Sequence, residues 1–575
     1  PPGLAGKVVD LVEAYGLVGD GTTDNSEAFQ RAVDEHKGKN RTLYLRNGTY
    51  LISRPVGVFN GKAHSSDRFL TFQGQSEAGT VIRVADRSAA FADAKEPGIA
   101  LCVYKGQGTG DVMHSYVRNL TIDTGSGNPG AVGLRYLSNN TGAIEHVTIR
   151  SGDGSGHIGL DLTQGQQGPC LVKAVTVEGF DTGVATGSSF SIVVEHLTLR
   201  KQGKVGFRNA ARTTIRNLVS ANAVPALRLE GWNQMTLVDA TLSGGSQDQT
   251  AIVIDCEQRQ TYLRDVKVSD YGTSLTAAYK RSDKTFTETG DLGEWMDGPA
   301  YQPLGSGTAA SLRLAPAETP VVPWEEDPEQ WIVFAGAKGD ATADLQAAID
   351  AGVTAKKTTL ALIGGKDWHL SGTIRIHGSI TRIIGMSSLL DVKDPHGHFK
   401  DPQNPVFRFE RLSAPVIVVE RFFLLGGWDC PPYAVMFGND SKAAVVIKNV
   451  NQRGRTKLAH PGQTWFFEDY GPSREATLEV GAGEMVYARQ FNPESPEAPM
   501  IDVAGGQLWL LGLKTEGRST HCIARDGAKV EILGGVCYQS WKGQKLDPPV
   551  LVVKDAALSA TFGFYHHETP FTTIA

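Results

Sequence analysis

The sequence predicts a mainly β protein in which short parallel strands stack into solenoids. One observation is an apolar, strand-length motif that recurs between residues 115 and 270, with Gly, Asn or Asp between its copies. Another is that the pattern opening the chain returns near residue 331. One coil of a solenoid cannot bury its inward face alone, so the coils must stack into a column.

The recurring motif has a nearly constant period. Its second residue steps by 27, 28, 22, 21, 22 and 26 positions along the chain. This period is too short for a propeller blade, and no helical i, i+3, i+4 spacing accompanies it. The second residues are Leu120, Val147, Val175, Leu197, Leu218, Ala240 and Val266.

The chain opens with a Gly-Asp loop and a short helix. The loop contains Asp20 and Asp24, and residues 26–33 follow with helical spacing. Asp24 or Ser26 can cap this helix, and we expect both aspartates to brace the turn rather than to act in catalysis.

The same order of strand, Gly-Asp loop and helix returns at residues 331–349. The sequence therefore predicts an N-terminal domain at 1–300 and a C-terminal domain at 331–575. Residues 301–330, rich in Pro and acidic near their end, are predicted to link them.

Composition excludes several classes of function. The net charge is −6, from 56 basic and 62 acidic residues, so no broad basic surface favours nucleic acid or an anionic membrane. No apolar run is long enough to span a bilayer. The six scattered cysteines lack any CxxC pair, and we expect them to be free and buried. A secreted or periplasmic monomer is predicted.

The opening residues 7–53, with their GDGTTD loop and short helix, resemble the start of the pectate-lyase-like superfamily of right-handed parallel β-helices. The resemblance implies two tandem right-handed, single-stranded parallel β-helices, each capped by a short N-terminal helix. Shallow grooves along such solenoids suit long polymers, so the architecture favours a polysaccharide or oligosaccharide substrate.

The tandem arrangement resembles glycoside hydrolase family 55, whose members are exo-acting β-1,3-glucanases with a site between the two domains. The stretch from Gly506 to Glu516, GQLWLLGLKTE, is similar to the family stretch whose Glu holds and activates water. This implies that role for Glu516. The next coil places Gln539 where the family has its general acid. An amide cannot donate that proton, so another carboxylate replaces it or the chemistry differs.

Two further positions come from the same resemblance. Residues 138–147 are similar to the family strand with a water-binding Gln, and this implies Asn140 at that position. Residues 159–168 are similar to the coil with a water-binding Ser, and this implies Gln166. Both residues are polar, but neither keeps the family's residue type.

The residues themselves favour a hydrolytic pair. Inverting hydrolysis needs an acid and a base about 6.5–9.5 Å apart, which adjacent coils can supply. We expect Glu516 to act as base or water-holder and Glu494, one coil earlier, as the acid. The residues expected to bind sugar nearby are Arg489, Gln490, Asn492, Lys514, Gln539, Tyr538 and Trp541.

Two other functions remain open. A polysaccharide lyase would use Lys514 as base and Arg489 to neutralise a uronate carboxylate. A non-catalytic glycan-binding protein is favoured by Gln539 at the position of the family's acid. No metal or cofactor is expected, although Asp255 and Glu257 offer oxygen ligands that could bind Ca²⁺.

Overall fold

The computed structural model describes residue 4, residues 6–61, 69–106, 110, 112–187, 190–298, 300–303, 309–336, 338–365, 367–458, 460–473, 477–495, 498–517, 519–539 and 548–566. The chain separates into two compact units. One covers residues 6–299, and the other covers residues 300–575 together with residues 1–5. None of the helices in the described part of the chain is long and apolar enough to cross a lipid bilayer.

The N-terminal unit is a column of parallel strands entered through two helices, α1 (Leu11–Tyr15) and α2 (Ser26–His36), with a 3-10 turn at Ala89–Phe91. Its strands are β1 Val8–Asp10, β2 Asp20–Asp24, β3 Arg41–Leu45, β4 Gly48–Ile52, β5 Val56–Gly57, β6 Leu70–Gly74, β7 Thr80–Val84, β8 Gly98–Cys102, β9 Ser115–Asp123, β10 Ala131–Arg135, β11 Gly142–Arg150, β12 Ile158–Leu162, β13 Cys170–Glu178, β14 Thr182–Thr186, β15 Ser191–Arg200, β16 Val205–Asn209, β17 Arg212–Ala221, β18 Leu227–Gly231, β19 Gln234–Ser243, β20 Thr250–Cys256, β21 Thr261–Val268, β22 Thr273–Tyr279, β23 Ser282–Glu288 and β24 Leu292–Met296.

These strands form a 14-stranded sheet and a 10-stranded sheet in which alternate strands of the chain are neighbours. Pairing is parallel throughout the column, and two antiparallel strands, β23 and β24, close its end. The predicted β-solenoid is confirmed. The second residue of every repeat, from Leu120 to Val266, is at most 2% exposed and belongs to one continuous apolar core.

The repeat is defined by a recurring backbone conformation as well as by recurring apolar residues. The residue before each inward apolar residue has a left-handed backbone, with φ between 53° and 57°. This single residue bends the strand, so that each long strand serves two faces of the column. Asn, Asp and His tolerate this conformation best among non-glycine residues. The bend residues are Asn119, His146, Ala174, His196, Asn217, Asp239 and Asp265.

The Gly-Asp loop braces the entry to α2, as predicted. Asp24 Oδ1 accepts hydrogen bonds from the Ser26 amide (2.9 Å) and hydroxyl (2.6 Å). Asp20 Oδ1 accepts from the amides of Thr22 and Thr23, each at 2.8 Å. These carboxylates satisfy backbone donors at the start of the column.

The C-terminal unit repeats this architecture behind helix α3 (Thr342–Thr354), with 3-10 turns at Pro328–Gln330 and His398–Lys400. Its strands are β25 Trp331–Phe334, β26 Gly339–Asp340, β27 Thr359–Leu362, β28 Trp368–Leu370, β29 Ile374–Gly378, β30 Arg382–Val392, β31 Phe407–Leu412, β32 Val416–Gly426, β33 Phe437–Asn439, β34 Ala444–Gln452, β35 Thr456–Leu458, β36 Thr464–Pro472, β37 Leu478–Val480, β38 Met485–Phe491, β39 Ile501–Ala504, β40 Gln507–Glu516, β41 Cys522–Arg525, β42 Lys529–Gln539, β43 Leu551–Lys554 and β44 Ala557–His566.

The strands of this unit form a 12-stranded sheet with sheets of three and five strands. Its long strands bend in the same way, at a row of left-handed residues with φ between 47° and 59°. The row consists of Arg421, Asn449, Asp469 and Gln490, and it continues as Gly512 and Gly534. The bend sends the residues before and after it to different faces of the column, which decides where the candidate site residues lie.

The Pro-rich stretch predicted as a linker lies along the C-terminal unit. Residues 309–323, called the axial segment below, have no regular secondary structure and follow the strands from the last coil back to the first. At the last coils the Leu312 amide donates to Ser559 Oγ (3.1 Å), and at the first coils Arg382 donates to the Val322 carbonyl oxygen (2.7 Å).

Charged side chains on the outer face of the strands hold the axial segment. Glu531 accepts hydrogen bonds from the amides of Arg313 (2.9 Å) and Leu314 (3.0 Å). Glu468 accepts from the Thr319 hydroxyl. Because these side chains are almost fully buried, their charges need these partners.

Candidate functional site

The candidate site is a column of side chains after the bend, at the ends of the long strands of the C-terminal unit. Parallel bridges join Ser473 to Glu494 and Glu494 to Glu516, and Glu516 pairs in register with Tyr538. Neighbouring strands lie about 4.8 Å apart. The two glutamates predicted as a catalytic pair therefore occupy adjacent coils and the same position of the coil.

Lys514 connects the two glutamates. Its Nζ lies 2.9 Å from Glu494 Oε1 and 2.5 Å from Glu516 Oε1. The Lys514 side chain is 2% exposed, whereas those of Glu494 and Glu516 are 33% and 32% exposed. The site is thus a buried ammonium beneath two carboxylates that reach solvent.

The two salt bridges of Lys514 limit the distance between the carboxylate oxygens of Glu494 and Glu516. Since both oxygens bind one nitrogen, they lie no farther apart than the two distances together, about 5.4 Å. Inverting glycosidases place their carboxyl groups about 6.5–9.5 Å apart, and retaining enzymes about 5–5.5 Å. The inverting spacing expected from the sequence does not fit these Lys514-bound oxygens.

Asn492 supports Glu494 from the preceding turn. It is buried, and its Nδ2 donates to Glu494 Oε1 at 3.2 Å. The same oxygen therefore accepts from both Asn492 and Lys514, which fixes its position. Asn492, predicted to bind sugar, instead contacts the Glu494 carboxylate and is buried.

Burial and neighbouring charges shift the pKa values of two groups in the site, Glu516 and Lys514. Burial raises the pKa of Glu516; Lys514 opposes this rise, the charge of Glu494 supports it, and the net shift is upward. Burial lowers the pKa of Lys514, but the two carboxylates outweigh that effect and leave it above its usual value. Lys514 therefore stays protonated, and Glu516 is suited to carry a proton.

Arg489 and Gln490 do not reach this site, contrary to the prediction. Arg489 precedes the bend and is fully buried, and its Nη2 donates to the Ala317 carbonyl oxygen of the axial segment (2.5 Å). Its guanidinium also lies over the Trp509 ring, 5.1 Å from the centroid. Gln490 is the bend residue and is buried beside Asp469. Neither side chain can contact a substrate in this structure.

The remaining predicted residues of the C-terminal unit lie near the chain's end. Tyr538 is half-buried beside Glu516 on the next coil, where a ring could line the site. Gln539 is the last residue of β42, and its side chain lies outside the described part of the structure, as does all of Trp541.

Asn140 and Gln166 lie in the N-terminal unit, on adjacent coils. Both have left-handed backbones, with φ of 62° and 67°. Asn140 Nδ2 donates to the Gly110 carbonyl oxygen (3.1 Å), and Gln166 is exposed. Their backbone conformation identifies them as turn residues of their coils.

One of the two candidate calcium ligands is already paired with cationic side chains. Glu257 already pairs with Lys280, at 3.2 Å, and with Arg281, at 3.8 Å. Two ammonium or guanidinium groups at one carboxylate oppose the binding of a further cation. Asp255 is exposed on the same strand end.

Sequence reasoning missed residues that continue the column toward earlier coils. Arg453 follows Gln452, which pairs with Pro472, so Arg453 lies beside Ser473 in the register of the site. Trp428 leaves the preceding coil and packs against Arg453. Only the register between coils could have identified these residues. Loops of irregular length prevent that register from being derived from the sequence.

Comparison with known proteins places this fold. Residues 11–248 match the model of a family described as rhamnogalacturonase A/epimerase, pectate lyase-like. The matched residues lie within the N-terminal unit.

One relative by sequence is alginate lyase 7 of Azotobacter vinelandii, 32% identical over 145 residues. The match covers 24% of this chain and only 16% of the relative's length.

Two solved structures are similar along nearly the whole chain. A variant of sacteLam55A from Streptomyces sp. SirexAA-E in complex with glucose is 10% identical, with a TM-score of 0.45, and 98% of this chain and 86% of that chain are covered. The A-module of mannuronan C-5 epimerase AlgE4 from Azotobacter vinelandii is 10% identical, with a TM-score of 0.27, and 98% and 99% are covered. Sequence identities and TM-scores this low do not indicate a shared activity.

Proposed function

We propose that the C-terminal unit carries the active site of a glycoside hydrolase that cleaves a polysaccharide or oligosaccharide. The observation that supports this is the pair Glu494 and Glu516, on adjacent coils and open to solvent, above the buried Lys514. Glycoside hydrolysis needs two carboxyl groups with different protonation states at this kind of separation.

In the proposed reaction Glu516 is the acid, the reverse of the role expected from the sequence. Its raised pKa lets it keep a proton, which it gives to the glycosidic oxygen as the bond to the anomeric carbon breaks. Glu494, held by Asn492 and Lys514, attacks the anomeric carbon and forms a glycosyl ester. Water then cleaves the ester, and its proton returns to Glu516.

Lys514 is a positioning residue in this scheme. It touches both reacting carboxylates and holds the two bound oxygens within about 5.4 Å of each other. The short separation favours a double displacement, in which the anomeric configuration of the product is retained.

A screen of the whole protein tests the proposal. Release of reducing ends is measured over β-1,3-, β-1,4- and α-linked neutral glucans and over uronate polymers, and the anomer first released is read by NMR. We expect reducing ends from one polymer class, with retained configuration. Inversion would contradict the double displacement, and cleavage that persists without Glu516 would place the reaction elsewhere.

A polysaccharide lyase acting on uronates is the second candidate, supported by the alginate lyase found among the relatives. Here the chemistry of the C-terminal unit weighs against it. The lyase base proposed from the sequence, Lys514, is held protonated by two carboxylates, and Arg489 is buried beneath the axial segment. An unsaturated product absorbing in the ultraviolet would nonetheless establish elimination in the same screen.

A further inference from the structure

An exposed aromatic ring stands on the same edge of the C-terminal unit as the carboxylate pair. Trp428 is 52% exposed in the loop that follows β32, although its ring is held on two sides. The Arg453 guanidinium lies 5.3 Å from its centroid, and the Phe423 ring meets it edge-on at 6.3 Å. A tryptophan that is fixed yet open on one face is a ready platform for a ligand.

The register between coils aligns this ring with the candidate site. Gly426, two residues before Trp428, ends the strand whose Leu425 pairs with Gln452, so the next coil presents Arg453 at the same position. The following coils present Ser473, then Glu494 and Glu516. One column of side chains therefore runs from the tryptophan to the carboxylates, parallel to the axis of the solenoid.

The spacing suits a chain of several sugars. Three coils separate the Trp428 loop from Glu494, which is about 14 Å at the distance between parallel strands. A pyranose offers one face of C–H bonds that stacks on an aromatic ring, while its hydroxyls bind polar side chains. A sugar residue also advances a glycan by nearly one coil spacing, so successive sugars can follow successive coils.

We propose that Trp428, with Arg453 behind it, forms a distal sugar-binding subsite for the glycan that reaches Glu494 and Glu516. The proposal rests on the function proposed above and adds a direction to it: the glycan lies along the solenoid axis, toward the earlier coils. Ser473 lies between the two ends of the column, with an intermediate exposure, where its hydroxyl can meet an intervening sugar.

The test uses Trp428→Ala in the full chain, with Trp232→Ala as the matched control. Trp232 is 48% exposed and also lies against an arginine, Arg281, at 4.3 Å, but it belongs to the N-terminal unit. The probes are laminari-oligosaccharides and oligomannuronates from disaccharide to hexasaccharide. Affinity is measured by calorimetry, and KM and kcat are measured on whichever series is cleaved.

We expect Trp428→Ala to weaken binding of the longest oligosaccharides about tenfold, chiefly through KM, with the loss shrinking as the chain shortens. Trp232→Ala should match the wild type. Equal affinities of Trp428→Ala and wild type at every length would overturn the subsite while leaving the hydrolase standing. Binding that needs Trp428 without any cleavage would keep the subsite and overturn the hydrolase. A wild type that binds neither series would overturn the subsite.

Discussion

At the residue scale, the site depends on a lysine that binds two glutamates, one from its own strand and one from the previous coil. Lys514 and Glu516 are two residues apart on one strand, so their side chains share a face. Glu494 joins them from the previous coil. This part of the site could be predicted from spacing, because alternation along a strand is regular.

Replacing Lys514 by Met should separate positioning from folding. Without the ammonium, the pKa of Glu516 rises further, so the alkaline limb of the pH–rate profile should move to higher pH. The carboxylates also lose their common anchor, and we expect kcat to fall about 100-fold. Lys529→Met, at an exposed lysine of β42, is the control and should keep both the rate and the profile.

A merely structural lysine would give another result. The Lys514→Met protein would then lose stability and activity together, while the pH limb of the remaining activity stayed where it is in the wild type.

His521 makes a second prediction from a buried group. Burial lowers its pKa to about 4, while its Nδ1 donates to the Ser519 carbonyl oxygen at 2.9 Å. The unfolded chain takes up this proton near pH 6.5 and the folded chain only near pH 4. The stabilisation is therefore complete above pH 6.5 and is lost as the pH falls toward 4, by about 3 kcal/mol.

Urea titrations of wild type and His521→Gln between pH 4 and 8 measure this effect. The difference in free energy of unfolding between the two proteins should change by about 3 kcal/mol across the acid range and be flat above pH 7. A difference that does not vary with pH would contradict a buried, neutral imidazole.

At the scale of elements, the bend residue explains both the success and the failure of the sequence analysis. In the N-terminal unit the bend is usually Asn, Asp or His, so it marks each repeat and reveals the period. In the C-terminal unit Gln490 takes this conformation, and glutamine is not a residue type that predicts it. Arg489 before the bend and Glu494 after it therefore looked like one polar cluster, although they face different sides.

The path of the axial segment along the C-terminal unit also could not be predicted from the sequence. The 301–330 stretch that contains this segment is rich in Pro and acidic near its end, which is typical of an open linker, and no periodicity marks a segment that crosses coils one after another. What holds it is a row of buried charges on the strands beneath, including Glu531 and Glu468.

Truncating one of these anchors should loosen the axial segment. Glu531→Ala leaves the amides of Arg313 and Leu314 without their carboxylate, which should cost about 1–3 kcal/mol of unfolding free energy. Limited proteolysis within residues 309–323 should also accelerate. Asp502→Ala, which removes a partly exposed partner of Arg525, should cost less than about 1 kcal/mol. Unchanged proteolysis in Glu531→Ala would show that other contacts hold the segment.

At the scale of the whole molecule, the two β-helical units follow from repetition, which is visible in sequence because each coil must solve the same packing problem. Each unit has its own apolar core in the described residues. Catalytic geometry is not repetitive. The Lys514 salt bridges limit the distance between the two carboxylate oxygens, and burial raises the pKa of Glu516. Neither feature could be predicted before the coils were in register.

The catalytic role of Glu494 and Glu516 is tested most directly by the activity of Glu516→Gln and Glu494→Gln on the polymer that the wild type cleaves. Each variant keeps an oxygen that can accept from Lys514, so the fold should persist with a wild-type circular dichroism spectrum and melting temperature. Glu479→Gln, at a glutamate that pairs with Arg455, is the control and should retain activity.

We expect both variants to lose at least about 1,000-fold in kcat while the control does not. Full activity of either Glu516→Gln or Glu494→Gln, in a protein that is correctly folded, would contradict the assignment of this carboxylate pair.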